Sequence, residues 1–245
     1  MIVKTKDILE FLKKATLNGA IEKTILNFDK DSIKCFDDMS NLIIVSSNMS
    51  IGDIQGYEAV GEIGVKDVPL LIKFISRFKD EVEMNINKNI LMLKGKGKTI
   101  ETKLADPDFI GRTSIESSEL DFGQDTFTMD TGTLQEFTKD VSTFLGTSMF
   151  IITKPAEITL KMKSDDHIIS TTSKSATVKH ESKVELNSKY FKQIIESMTE
   201  GLIQMNTKTD HPVMFIEKAN KIKRKIYLAP MAEGDGGDAE SDKEA

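Results

Sequence analysis

One feature restricts the fold of this chain more than any other. A unit of strand, short amphipathic helix and about three antiparallel strands occurs four times. The helix starts fall near residues 5, 67, 133 and 188. That spacing of roughly 55–65 residues is too long for a solenoid repeat. The first helix is predicted from Thr5 to about Leu17, with Thr5 as cap, Ile8, Leu9, Leu12 and Ala15 inward, and Lys6, Glu10, Lys13 and Lys14 outward. The second runs from the cap Asp67 to about Phe78, with Pro69 in its first turn, Val68, Leu71, Ile72, Ile75 and Phe78 inward, and Lys73, Ser76 and Arg77 outward. The third, from Gly132-Thr133, turns Leu134, Phe137, Val141, Phe144 and Leu145 inward and Lys139 outward. The fourth, from Asn187 or Ser188 to Gly201, turns Phe191, Ile194, Ile195 and Met198 inward and Lys189 and Lys192 outward.

Alternating or apolar runs between the helices read as strands: Lys23–Phe28, Ser32–Phe36, Leu42–Ser47, Tyr57–Ile63, Glu81–Ile86, Ile90–Lys94 and Thr99–Leu104 in the first half. In the second half they are Phe127–Asp130, Glu157–Lys163, His167–Thr172, Ala176–Leu186, Leu202–Asn206, Val213–Lys218 and Ile222–Leu228. Thr147–Lys154 fits either a helix extension or a strand. Asp29-Lys30-Asp31 and Asn87-Lys88-Asn89 are hairpin-turn material. The units pair into two similar α+β domains, 1–108 and 122–232, each with two helices packed on curved antiparallel sheets. A polar Ser/Glu-rich linker, 109–121, lies between them. Residues 233–245 hold six acids against Lys243 and no large apolar residue, so they are predicted to form a disordered acidic tail. Most of the formal charge of −6 sits there, so the total says little about the folded surface.

Enzyme and metal motifs find little footing. Gly95-Lys96-Gly97-Lys98-Thr99 looks like half a phosphate loop, but its opening glycine would fall at Met92, and the stretch lies between strands. His167, His180 and His211 are scattered, and the single cysteine, Cys35, reads as a buried apolar residue. No Ser or Cys has a motif-supported base, so the chain is read as a non-enzyme without cofactor or metal. One cysteine, no apolar run of bilayer length and no secretory signal point to a reducing compartment, the cytoplasm of a prokaryote or the nucleus of a eukaryote.

The C-terminal strand ends Tyr227-Leu228-Ala229-Pro230 and precedes the acidic tail. This ending resembles that of the archaeal and eukaryotic DNA polymerase sliding clamps, the proliferating cell nuclear antigen family. Asp210-His211-Pro212-Val213, Lys139-Asp140-Val141-Ser142, Glu101-Thr102-Lys103-Leu104 and Cys35-Phe36-Asp37 follow the same family in order and spacing, as do the length, linker and tail. The resemblance covers nearly the whole chain.

It implies a closed ring made by trimerisation, with helices lining the hole. Lys6, Lys13, Lys14, Lys73, Arg77, Lys139, Lys189 and Lys192 would then face double-stranded DNA and contact phosphate without reading sequence. Glu136, Asp140, Glu196 and Glu200 make that surface less basic than is usual in the family. Subunits would pair through Thr99, Ile100, Glu101, Thr102, Lys103 and Leu104 of one chain and Ala176, Thr177, Val178, Lys179 and His180 of the next. Polymerase, clamp loader and other clients would dock short peptides in a pocket of Asn41, Leu42, Ile115, Leu120, Pro212, Tyr227, Leu228, Ala229 and Pro230. The resemblance thus implies a processivity factor for DNA replication and repair, acting as a homotrimer with no membrane partner. A subunit of a heterotrimeric or checkpoint-type clamp, or a protein-interaction scaffold on the same fold, is the alternative.

Overall fold

A computed structural model of the chain describes residues 1–40, 42–111, 125–143, 148–164 and 167–231. The first half runs β1 Ile2–Lys4, α1 Thr5–Ala15, β2 Thr24–Phe28, β3 Ser32–Met39, β4 Ile43–Ser50, β5 Gly61–Val65, α2 Val68–Ile75, β6 Glu81–Asn87, β7 Ile90–Gly95 and β8 Lys98–Lys103. The second runs β9 Asp125–Asp130, α3 Thr131–Thr143, β10 Ser148–Lys154, β11 Glu157–Lys163, β12 Ile168–Lys174, β13 Ser182–Asn187, α4 Ser188–Glu196, β14 Leu202–Thr207, β15 Val213–Ala219 and β16 Ile222–Leu228. The order is the same in both halves, so the fourfold unit of the sequence is a twofold repeat of a two-helix domain. The ambiguous stretch before Pro155 is a strand, β10.

The repeat extends to single bonds. Asp67 and Asn187 cap α2 and α4 with their side chains. Thr5 N–H donates to Asp80 O at 3.0 Å, and Thr131 N–H to Gly201 O at 2.8 Å. Past the last strand of each half, Ala105 N–H reaches Gly64 O and Met231 N–H reaches Glu185 O. The chain therefore stays packed on the first domain through the buried Ile110, beyond the expected linker start. Most of that linker and the tail lie outside the described residues.

Three antiparallel sheets result: β1-β6-β7-β8, β12-β11-β10-β13, and β5-β2-β3-β4-β16-β15-β14-β9. The eight-stranded sheet fuses the halves where β4 pairs with β16, Ile43 opposite Leu228 and Met49 opposite Ile222. The cores interlock across this seam. Ile43 and Val45 of the first half pack in the second core, and Ile222 of the second packs in the first.

Several local expectations are corrected. Lys4, in extended conformation, precedes α1, and Thr5 is its first residue with a buried, unpartnered hydroxyl. Helix α1 stops at Ala15 because Leu17 and Asn18 take positive φ. Helix α4 ends at Glu196, short of Gly201. Tyr57 is not in a strand; its hydroxyl donates to Asp29 O at 2.7 Å. The strand before α2 is Gly61–Val65. Strand β1 escaped prediction because three residues carry no periodicity. The half-phosphate-loop sequence is a hairpin turn, with Gly95 paired to Lys98 and positive φ at Lys96 and Gly97.

Candidate functional site

The helices place their polar faces together. Residues of α1, the end of α2 and the end of α4 line one cleft of about 800 Å³, into which Lys6, Lys13 and Lys79 bring positive charge beside Glu10 and Glu196. Lys6, Lys13, Lys73, Arg77, Lys139 and Lys189 are exposed, as their positions opposite the apolar faces require. Lys192 is half-buried and pairs with Glu196 at 3.6 Å.

Lys14 is different. It is 3% exposed, so it is not a surface cation. The inward face of α1 is Ile8, Phe11, Leu12 and Ala15; Phe11 is fully buried and Leu9 is not. That rotation carries Lys14 into the seam between the halves. Its ammonium bonds Glu217 and, at 3.3 Å, Thr199 Oγ1. The Arg224 guanidinium, 1% exposed, donates to Glu217 Oε2 at 2.6 Å, Lys14 O at 2.7 Å and Ser197 O at 3.2 Å. Burial pushes the Glu217 carboxyl up, but Arg224 beside it and bonds from Lys14 and Thr199 outweigh burial and leave its pKa below the ordinary carboxylate value.

Each sheet ends in two edge strands, and β8 in the first domain and β12 in the second are edges whose counterparts in the other half, β16 and β4, are paired with each other. The expected Thr99–Leu104 edge coincides with β8 apart from one residue; Leu104 lies beyond it and is buried. The edge strand of this region is β12, Ile168–Lys174; the expected partner edge, Ala176–His180, is not a strand. Its residues fold back instead: Val178 is 2% exposed, and its carbonyl accepts from Ala156 N–H at 3.0 Å. The Lys179 and His180 amides and the His180 ring bond the buried Asp125 carboxylate at 2.9–3.2 Å. Burial pushes Asp125 up, but these bonds more than offset it and hold its pKa low.

The C-terminal strand end is half surface and half core. Leu42, Pro212, Ala229 and Pro230 are accessible and adjacent, since Ala229 N–H donates to Leu42 O at 2.9 Å and Val213 pairs with Leu228. Tyr227 and Leu228, expected as pocket floor, are 2% and 1% exposed and are interior residues. Leu228 faces the second core, and Tyr227 packs with Ile44 and Met214 on the other sheet face. Asn41, Ile115 and Leu120 lie outside the described residues.

No protein-family model matches the sequence, and no curated protein does. Solved structures do. A structure of A. fulgidus PCNA with the C-terminal region of FEN-1 bound superposes with a TM-score of 0.78 at 19% identity, over 95% of this chain and 98% of that one. PCNA from Entamoeba histolytica gives 0.79 at 17% identity, over 94% and 96% of the two chains. PCNA from Thermococcus kodakaraensis gives 0.78 at 16%, over 94% and 99%. The chain has the PCNA clamp fold.

On this clamp fold, sequence reasoning missed three features. Lys79 lies just past a helix end, where no periodicity marks its direction. Lys98 opens β8, with its ammonium 5.9 Å from the Phe78 ring centre and 3.4 Å from Arg77 O. The alternation of Ile168–Lys174 marks a strand, but edge status depends on which strands find partners. Among the described residues, no helix is long and apolar enough to cross a membrane, and no His, Cys, Asp and Glu cluster could hold a metal.

Proposed function

We propose that this chain is a DNA sliding clamp, in which head-to-tail copies close a ring around duplex DNA and tether polymerase and other enzymes through short client peptides. One observation carries the reading: the seam inside the chain has two open counterparts at its ends. In the twofold repeat β8 corresponds to β16, and β12 corresponds to β4. The pair β4–β16 joins the halves, and the pair β12–β8 is left for a neighbour. A β8 that meets the next copy's β12 repeats the internal seam, and identical heterologous contacts of this kind close into a cyclic assembly.

The repeat also predicts the register. Ile226 opposite Val45 and Lys225 opposite Ser46 translate into Ile100 opposite Ile169, and Thr99 opposite Ser170, of the next chain. Ile100 and Ile169 both point toward the helix side of their sheets, so the register joins apolar to apolar. The exposed lysines would line the hole, where weak phosphate contact is enough because enclosure keeps the ring in place. Client docking is assigned to the accessible patch of Leu42, Pro212, Ala229 and Pro230. A. fulgidus PCNA, with a bound FEN-1 C-terminal region, offers a parallel.

The test is solution mass combined with cross-linking. The intact chain is expected near three times 27.3 kDa. The double variant Thr99→Cys/Ser170→Cys is expected to form disulfide-linked dimers and trimers on mild oxidation, both sites being exposed. A monomer at micromolar concentration, or no cross-linking within an assembled ring, defeats the reading or its register respectively.

A further inference from the structure

We propose that the subunit junction is held by a cross-chain ion pair between Asp140 on α3 of one copy and Lys98, with Lys79 beside it, on the next. This rests on the head-to-tail ring proposed above. In the internal seam, Lys14 on α1 enters a site built by the other half. That site consists of Glu217 on β15, Arg224 on β16, and Ser197 and Thr199 past α4.

Each of these positions has a counterpart at the open ends. Thr5, Ile8 and Phe11 of α1 match Thr131, Leu134 and Phe137 of α3 in sequence position and burial, so Lys14 corresponds to Asp140. The paired strands make Arg224 correspond to Lys98 and Glu217 to Gly95. The helix caps Asn187 and Asp67 make Ser197 correspond to Arg77 and Thr199 to Lys79. One bond of the seam is already present at the free end. Arg224 donates to Ser197 O at 3.2 Å, and Lys98 donates to Arg77 O at 3.4 Å.

The charges at the open site are inverted. Where the seam brings a cation on its helix to an acid on its sheet, the open site presents Lys98 and Lys79, and its nearest acid, Asp80, is taken up by Lys96. Position 95 cannot supply one, because a Cβ there would lie 2.9 Å from Phe78 Cδ1 and 3.3 Å from Glu81 O. The partner's α3 offers the acid for Lys98: Asp140 is exposed and meets no cation among the described residues. The two kinds of junction therefore respond differently to salt. The seam pair forms within one chain and stays buried, whereas the subunit pair forms between chains whose free ends expose Asp140, Lys98 and Lys79 to solvent, where their attraction is screened beyond about 8 Å at physiological ionic strength. Salt opens the ring between subunits and leaves each chain intact.

Self-association would be measured by sedimentation at low and high salt for the wild-type chain, Asp140→Lys, Lys79→Glu/Lys98→Glu, and the triple variant that combines them. Each partial variant is expected to weaken association by about tenfold or more at low salt while keeping the monomer's circular dichroism, since all three residues are exposed. The triple variant, with every charge reversed, is expected to recover to within about threefold of wild type. A wild-type assembly that Asp140→Lys leaves unchanged, or a triple variant no better than its parents, overturns the ion pair alone. A wild-type chain that stays monomeric overturns the ring and the pair with it.

Discussion

Lys14 shows what separates a charge read from sequence from a charge placed by structure. Its helix position fits an outward lysine until Phe11 is recognised as part of the buried face, and a rotation of the helix is enough to bury the ammonium among Glu217, Thr199 and the seam. Removing Glu217 would leave two buried cations without their acid. Glu217→Ala is therefore expected to cost about 3–5 kcal/mol by denaturant unfolding. Lys14→Met, which leaves Arg224 paired, is expected to cost clearly less. Asp37 titrates in the neutral range. Burial pushes its carboxyl up to about 6, against a bond from Thr24 and the Asp38 amide. Its pKa in the folded chain lies above the unfolded value, so its favourable contribution is present below about pH 4 and is lost as pH rises through about 6. Asp37→Asn is expected to flatten stability between those values and to raise it at pH 7 by about 1–3 kcal/mol. An unchanged pH profile of unfolding would contradict that. Neither Asp37's burial nor that of Cys35, whose thiol is pushed up to about 12, is marked by more than inward alternation along β3.

Hairpins and helices were legible at the scale of elements because their signals are local. Asn87-Lys88-Asn89 and Gly95-Lys96-Gly97 carry residues that tolerate a left-handed backbone, and the structure turns at both. Segment 176–180 was not legible. Its alternation matches a strand, but a buried Asp125 draws its amides away from any ladder. The segment after β8 is another such case. Ala105 and Ile110 are held against Gly64, where a Cβ would meet Ala105 O at 2.8 Å and Ile110 Cδ1 at 2.9 Å. Gly64→Val is expected to dislodge this strap, lower stability by about 1–3 kcal/mol and speed proteolytic cutting near residues 106–111. Limited proteolysis with mass detection reads the site of cutting, and unchanged kinetics would show that the strap adapts.

For the whole molecule, the proposed function makes two demands that leave the fold intact. Lys6→Glu/Lys13→Glu/Lys73→Glu is expected to reduce clamp-dependent DNA synthesis at low salt without changing the mass of the assembly, and the deficit should shrink as salt rises. Ala229→Arg is expected to abolish binding of a client-type peptide, measured by fluorescence anisotropy, while leaving the assembly closed; normal binding would move the docking site elsewhere. The repeated unit, the faces of its helices, most of its hairpins and the division into two α+β domains were determined by the sequence itself, because periodicity and turn chemistry act between residues a few positions apart. The tertiary structure alone decided that β4 joins β16 in one sheet, that Lys14 lies in the seam while Asp140 lies outside, and that β8 and β12, unlike their counterparts β16 and β4, end as sheet edges. Those outcomes depend on which surfaces meet across more than a hundred residues of chain, and no local pattern records that.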